Sequence, residues 1–228
     1  MSPSEYNRRV PCSCCSPAAY SELFDEKQAR KDARRYRRKG LDKAARRIVW
    51  CLTRGDVAGD SVLEVGGGIG AIHLELLKAG AGRATNVELS PAYDSVAREL
   101  LAEQKLEESV ERRTGDFVEL ADELEPAADV ILHRVVCCYP DVDALVGAAS
   151  GRARRRLVLT YPPDIALARV INAGSNLYMR LRGSDFRSYV WPVAAIARAA
   201  EAQGFVRVAE DRASLAWRML VFERRAAG

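Results

Sequence analysis

Hydrophobic and polar positions follow two different rhythms along the chain. Up to residue 53, apolar side chains recur at helical spacing among alanines and charged residues, and Gly40 separates two predicted helices. From residue 61, short apolar runs rich in β-branched residues alternate with longer helical patterns. The predicted strands are 61–65, 84–89, 110–114, 129–135 and 156–161, and the predicted helices are 71–79, 91–105, 142–149 and part of 165–181. This alternation is typical of βαβ units, which build a parallel sheet with helices on both faces.

The end of the chain changes the pattern again. After a predicted helix at 192–203, two strands at 205–213 and 217–224 follow each other closely, which predicts an antiparallel pair at the sheet edge. We therefore predict an α/β fold: a Rossmann-like, seven-stranded, mostly parallel sheet with a C-terminal antiparallel strand pair and an N-terminal helical extension. Residues 1–55 form the extension, of which about the first 20 are expected to be irregular, and residues 56–228 form the α/β domain.

Composition and charge narrow the class of protein. The chain has 228 residues, of which 48% are hydrophobic and 29% charged, and its net charge is +4. A net charge this small does not indicate a nucleic-acid partner, and the basic clusters at 34–39 and 152–156 are expected to be solvated faces. No apolar run reaches the roughly 20 residues that span a bilayer. The first ten residues lack the apolar stretch of a secretory signal. We therefore expect a cytoplasmic protein without a membrane span.

Six cysteines are expected to be reduced thiols in that compartment rather than a disulfide framework. Cys137 and Cys138 are adjacent inside an apolar segment, which suits small core side chains. Cys12, Cys14 and Cys15 put three thiols close together, but their spacing differs from the paired C-x₂₋₄-C of zinc sites. We therefore predict free thiols and no metal site.

The strongest chemical signal is a glycine cluster directly after the first predicted strand. Gly66, Gly68 and Gly70 lie between that strand and a helix, where glycines allow a sharp turn and let the backbone approach a ligand closely. The helix N-terminus adds unpaired N–H donors. The next strand ends with Glu88 and Leu89, and the carboxylate there would accept hydrogen bonds from ribose hydroxyls. Two ligand classes use such a loop: dinucleotides, whose G-x-G-x-x-G/A pattern also fits, and S-adenosylmethionine.

An acidic residue just before the loop favours S-adenosylmethionine. The pattern Glu64-x-Gly66-x-Gly68-x-Gly70 resembles motif I of the class I S-adenosylmethionine-dependent methyltransferases. In that family the acid helps position the methionine end of the cofactor, whereas a carboxylate facing the pyrophosphate of NAD would be repelled. The resemblance implies that Glu64 and the glycines bind S-adenosylmethionine. It also implies that residues 56–228 are a methyltransferase domain.

Two further features carry the same resemblance. Gly115-Asp116-Phe117 follows the third predicted strand and is similar to the family's adenine site, where the acid meets the exocyclic amine and the apolar neighbour packs on the ring. The terminal strand pair resembles the family's reversed last strand. The resemblance therefore extends over residues 61 to 225, approximately. It implies that Asp116 and Phe117, together with Glu88 and Leu89, bind the cofactor.

The end of the fourth predicted strand is where class I methyltransferases place residues that face the substrate. Here it carries His133 and Tyr139, which we predict to be catalytic. Histidine titrates near neutrality and can accept the proton of a hydroxyl acceptor. The alternative for His133 is a hydrogen-bonded structural histidine. His73, in the helix after the glycine loop, is expected to be a packing or surface residue.

A closer resemblance concerns the acceptor. Cys138-Tyr139-Pro140, Tyr161-Pro162 and the basic, aromatic stretch 180–191 are similar to magnesium-protoporphyrin O-methyltransferases. A His-Tyr-Pro is common at the first of these places in that family, and this chain has Cys138 in place of the histidine. The resemblance implies a flat, anionic acceptor that contacts residues 178–191. Because of this departure, a different small-molecule acceptor is an equal alternative.

The predicted function is S-adenosylmethionine-dependent methylation of a small molecule, on the oxygen of a hydroxyl or a carboxylate. Members of the methyltransferase family often cover the site with an N-terminal extension, so Tyr20, Phe24 and Tyr36 are candidates for a lid. The alternative is a non-catalytic cofactor-binding or partner-binding protein with the same fold. The modest charge and the absence of an Asn-Pro-Pro-Tyr type motif disfavour a nucleic-acid acceptor. The oligomeric state stays open.

Overall fold

The structure is a computed structural model that describes residue 20 and residues 23–55 and 57–225. Its helices are α1 (Glu26–Lys39), α2 (Lys43–Thr53), α3 (Ala71–Lys78), α4 (Asp94–Gln104), α5 (Phe117–Leu120), α6 (Val142–Arg152), α7 (Ala166–Leu181) and α8 (Val193–Glu201). Its strands are β1 (Ser61–Val65), β2 (Arg83–Glu88), β3 (Val110–Thr114), β4 (Ala127–His133), β5 (Ala153–Tyr161), β6 (Phe205–Arg212) and β7 (Arg218–Arg224). The stretch predicted to be irregular, 1–20, lies outside the described residues except for residue 20.

The strands form one sheet in the order β3-β2-β1-β4-β5-β7-β6. Neighbouring strands from β3 to β5 are parallel, and β7 is antiparallel to both β5 and β6. The predicted fold class is therefore confirmed. The chain reverses its direction of travel across the sheet between β1 and β4, and ligands of open α/β sheets bind in the crevice at such a switch point.

Helices cover both faces of the sheet and bury a core on each. On one face the core includes Ala33 of α1, Ile48 of α2 and Leu74 of α3. On the other it includes Val146 of α6 and Ile196 of α8. The central strands are buried along most of their length, as the continuous apolar runs of a parallel sheet require.

The N-terminal extension packs on the first of these faces as two capped helices. Gly40 ends α1 with φ of +65°, a backbone conformation that favours glycine, so the predicted break is confirmed. Asp42 begins α2, and its Oδ1 accepts hydrogen bonds from the N–H groups of Ala44 and Ala45 at 2.9 and 3.0 Å. A glycine therefore ends α1 and an aspartate begins α2, and both are common sequence signals at helix ends.

Two predicted strands have bounds that differ by two residues or more in the structure. The fourth ends at His133 rather than at residue 135, because Arg134 adopts φ of 62° and breaks the extended backbone. The fifth begins at Ala153, three residues before the predicted start, so its arginines belong to the strand. The prediction of a solvated basic face at 152–156 is wrong for Arg156. Its guanidinium is buried and donates to the fully buried Asp129 at 2.8 and 2.6 Å.

Candidate functional site

A cavity of about 280 Å³ lies outside the carboxyl ends of β1, β2 and β4, beside the switch point of the sheet. That volume is near the lower end of the range for small-molecule sites. Its walls come from the glycine loop, the ends of these strands and the N-terminal extension. Of the residues predicted as functional, those that line it are Glu64, Gly66, Gly68, Glu88, Leu89, Asp116, Phe117, His133 and Tyr139. Gly70 belongs to the same loop and caps α3 without lining the cavity.

The glycine loop has a backbone that other residues would strain. Gly66 and Gly70 have φ of 62° and 82°, in the left-handed region. A Cβ on Gly66 would lie 2.6 Å from Cγ2 of Val135, and a Cβ on Gly70 would lie 2.2 Å from the ring of His73. Close approach of neighbouring side chains, as well as turn geometry, therefore requires glycine here.

Glu64 is held beneath the loop by a residue that the sequence did not mark as important. The Nδ1 of His73 lies 2.7 Å from Oε2 of Glu64, and the N–H of His73 donates to the same oxygen at 3.2 Å. Both side chains are buried, so His73 is not a surface residue. The structure ties the Glu64 carboxylate to the start of α3, and its contact with the cofactor stays a prediction.

Glu88 joins the glycine loop to the end of β2. Its Oε2 accepts the N–H of Gly68 at 2.8 Å, and its Oε1 accepts the N–H of Ser90 at 2.9 Å. Burial raises the pKa of Glu88 against the opposing effect of these hydrogen bonds. Each carboxylate oxygen has a second lone pair, so Glu88 can still accept hydrogen bonds from two hydroxyls of a ligand.

The third carboxylate of interest, Asp116, caps α5. It accepts the N–H of Val118 at 2.8 Å, and the Tyr139 hydroxyl donates to it at 3.1–3.2 Å. The apolar Phe117 is buried beside it. Tyr139 was predicted to face the acceptor, and the structure directs its hydroxyl to the predicted adenine acid instead. A catalytic role for Tyr139 stays a prediction.

His133 lies at the end of β4 with both ring nitrogens near protein oxygens. Its Nδ1 is 3.0 Å from Oγ1 of Thr160, which also accepts the N–H of Arg134 at 2.9 Å. A hydroxyl oxygen has two lone pairs and can accept from both groups. We assign the proton to Nδ1 from this pattern. The Nε2 atom then carries the lone pair, 3.9 Å from Oδ2 of Asp42.

Asp42 links the N-terminal extension to this histidine. One of its oxygens caps α2, and the other accepts a hydrogen bond from Nη2 of Arg134 at 2.8 Å. Burial by itself would raise the pKa of Asp42. The contacts with His133, the Ala45 N–H and Arg134 outweigh burial and hold that pKa well below its usual range. The carboxylate is therefore ionised beside the histidine. An aspartate is a common residue at the start of a helix, but nothing in the sequence placed Asp42 in the site.

The N-terminal extension forms the aromatic wall of the cavity. Tyr20 donates a hydrogen bond to the carbonyl of Cys138, and Tyr20, Phe24 and Tyr36 all line the cavity. Tyr20 and Phe24 also meet the ring of Phe186 edge-on, with centroids 5.4 and 6.1 Å away. This supports the predicted covering position of the extension, whose motion as a lid stays a prediction.

The structure differs from two expectations about neighbouring segments. None of the described residues that line the cavity comes from 161–191, so the stretch 178–191 does not form the cavity wall. Cys137 is buried as predicted, whereas Cys138 is only partly buried and lines the cavity. The two thiols lie 3.5 Å apart. Cys12, Cys14 and Cys15 lie outside the described residues, so the expectation of free thiols there stays a prediction.

Comparisons with known proteins agree with this geometry. Residues 63–155 match the family model described as a methyltransferase domain. A search of curated protein sequences finds no match. Similar solved structures include magnesium protoporphyrin IX methyltransferase from Synechocystis PCC 6803 with bound S-adenosylhomocysteine, at 22% identity and a TM-score of 0.65 over 79% of this chain and 82% of that one. An O-methyltransferase family protein from Burkholderia thailandensis gives 17% identity and a TM-score of 0.64 over 81% and 57%. An O-methyltransferase family 2 protein from Planctomyces limnophilus gives 17% identity and a TM-score of 0.58 over 82% and 63%.

The family match and the fold together define the class of protein: the chain carries a methyltransferase domain with the class I fold. The domain match and the fold imply S-adenosylmethionine as the cofactor. The cavity fits that cofactor. A glycine backbone, two carboxylates able to accept hydrogen bonds and the apolar side chains of Phe117 and Leu89 surround one space, as a ribose, an adenine and a charged methionine end require.

Replacing Glu88 by alanine is expected to weaken S-adenosylhomocysteine binding by about tenfold or more, because hydrogen bonds to a charged group contribute about 1.5–3 kcal/mol. Calorimetry measures the dissociation constant, and the exposed Glu107→Ala is the matched control. A Glu88→Gln variant keeps one acceptor oxygen, so its dissociation constant should lie between those of Glu88→Ala and Glu107→Ala. An unchanged dissociation constant in Glu88→Ala with an unchanged melting temperature would show that Glu88 is not at the ribose.

Proposed function

We propose that this enzyme methylates a hydroxyl group on a small, largely apolar molecule. The observation that carries the proposal is the position of His133. Its ring lines the same cavity as the predicted cofactor residues, with Nδ1 on Thr160 and Nε2 directed toward the ionised Asp42. A hydroxyl must lose its proton when it accepts a methyl group, and a neutral imidazole is suited to take that proton.

The residues of this chain then have separate tasks. S-adenosylmethionine supplies an already activated methyl group, so the protein contributes mainly alignment and proximity. His133 accepts the hydroxyl proton at Nε2, and Thr160 holds the ring by its other nitrogen. The carboxylate of Asp42 stabilises the imidazolium that forms, and Arg134 binds the same carboxylate oxygen that faces His133. The aromatic wall excludes water from the acceptor.

The charges around the cavity favour a neutral acceptor over a carboxylate. Two arginines are among the described residues that line it, and each contacts a carboxylate of the same lining. Arg134 is 2.8 Å from Asp42, and Arg35 is 3.3 Å from Asp32. An anionic acceptor would have to compete with these partners. It would also approach Glu64, Glu88 and Asp116, and like charges repel in a water-poor site. This departs from the anionic acceptor that the porphyrin resemblance implies.

The same charges weigh against a nucleic-acid acceptor. Five carboxylates and two arginines line the cavity within the described part of the chain. A phosphate backbone is bound by an excess of lysine and arginine over acidic residues. The described lining of this cavity has no such excess. A small neutral molecule has no such requirement.

The proposal predicts transfer of a labelled methyl group from S-adenosylmethionine to a hydroxyl oxygen. Purified enzyme is incubated with the labelled donor and, separately, with sets of phenols, alcohols, carboxylic acids and amines, and the products are identified by mass spectrometry. Reactions without enzyme are the control for background methylation. Methylation of phenols or alcohols alone is expected. Products from the carboxylic acids or amines instead would contradict the hydroxyl assignment.

A further inference from the structure

Helix α7 presents an apolar stripe that no part of the described chain covers. None of its residues is buried. Seven large apolar side chains on and beside it are between 52% and 78% exposed: Ile165, Leu167, Val170, Ile171, Leu177, Tyr178 and Leu181. Apart from Ile165, at 100° per residue they all fall on one side of the helix. A stripe of this kind on a folded protein marks a surface that contacts something else.

The opposite side of α7 is attached to the body of the protein. Asn172 and Asn176 donate hydrogen bonds to the carbonyl of Ser188 at 2.9 and 2.7 Å, and Ser188 donates back to both side chains. At 100° per residue, these asparagines lie opposite Val170, Gly174 and Leu181. The tether therefore holds the helix with its apolar stripe pointing outward, which is an orientation that the sequence pattern alone cannot give.

We propose that the apolar stripe of α7 docks on a membrane surface that contains anionic lipids. Residues 165–184 contain no acidic residue. Arg180 and Arg182 are exposed and have no acidic partner within these residues, whereas the exposed Arg169 is paired with Asp164 at 2.7 Å. A helix that lies flat in the headgroup region buries one apolar side and carries arginines toward the lipid phosphates. Among the helices of the described chain none is long and apolar enough to cross a membrane, so α7 would lie on the surface.

Vesicle flotation tests the proposal with the full chain and without any methyl acceptor. The protein is mixed with phosphatidylcholine vesicles with or without phosphatidylglycerol. We expect it to float with the anionic vesicles only, and to be released at high salt. Leu177→Glu/Leu181→Glu should abolish flotation. Leu215→Glu, which changes an apolar side chain that is 87% exposed outside α7, should not. Arg180→Gln/Arg182→Gln should weaken binding more than about tenfold.

Three results would overturn the proposal. One is the absence of flotation with anionic vesicles. Another is equal binding to both kinds of vesicle. The third is a stable dimer in light scattering that Leu177→Glu/Leu181→Glu dissociates, since this would make a second copy the occupant. The variants change exposed positions only, and unchanged melting curves verify that they fold.

Discussion

Replacing His133 by alanine is expected to lower turnover about 10²–10⁴-fold with a hydroxyl acceptor, which is the range that general-base assistance supplies. S-adenosylmethionine affinity should change little, because Glu88 and Asp116 remain. The split between a large loss in kcat and a small change in cofactor affinity separates a base from a residue that supports the cofactor. Unchanged turnover would leave His133 as the structural histidine that Thr160 holds.

The pH dependence of the same reaction gives an independent measurement. Turnover of the unmutated enzyme should rise with pH, because only the neutral ring accepts a proton. If the acceptor is a carboxylate, it is already ionised at pH 7 and the profile there should be flat. The pH profile therefore distinguishes the two acceptor classes.

The two roles of Asp42, as the cap of α2 and as the negative charge near His133, can be tested separately. Asparagine caps helices about as well as aspartate, so Asp42→Asn keeps α2 while it removes the negative charge 3.9 Å from His133. We expect Asp42→Asn to fold normally, to turn over more slowly, and to shift the midpoint of the pH profile to lower pH, because a nearby anion favours the protonated ring. Asp42→Ala loses the cap as well and should also be less stable. An unchanged profile in Asp42→Asn would remove Asp42 from the mechanism.

Replacing Asp129 by alanine is expected to lower the free energy of unfolding by about 3–5 kcal/mol, the usual result of leaving one partner of a buried ion pair alone. Asp129 is fully buried between the guanidinium groups of Arg156 and Arg155. Without it, the charge of Arg156 stays in the core, and its partner among the described residues is the carbonyl of Leu52. Urea denaturation measures the change.

Two further variants make this stability prediction specific. Asp122→Ala breaks an ion pair with Arg152 in which the aspartate is exposed, and it should change the unfolding midpoint little. Asp129→Leu/Arg156→Met removes both buried charges together and should be less destabilised than Asp129→Ala. Arg155 would keep Asp60 as a partner. A double variant as unstable as the single one would show that packing, rather than the unpaired charge, causes the loss.

The fold could be predicted because each local signal agrees with the next one. The alternation of apolar runs, the glycine stop at Gly40 and the closely spaced final strands are all short-range patterns. The cofactor side of the cavity could also be predicted. Glu64, Glu88 and Asp116 follow successive strands, and parallel strands end at one edge of a sheet.

The acceptor side could not be predicted in the same way, because it depends on contacts between distant segments. Asp42 comes from the N-terminal extension and His133 from β4, and no periodicity relates them. His73 has a partner, Glu64, that only the path of the glycine loop brings into reach. Arg156 was misread because a run of arginines is usually solvated, whereas a buried aspartate on the adjacent strand overrides that tendency.

The place of β7 in the sheet has a consequence for synthesis on the ribosome. The last strand of the described chain is an interior one: it pairs with β5 on one side and β6 on the other. While the nascent chain is growing, β5 keeps an open edge and β6 has no neighbour to pair with. Open edges of this kind recruit strands from other chains. After residue 212 and before residue 224 has emerged, the nascent protein therefore exposes strand edges that are open to pairing with other chains.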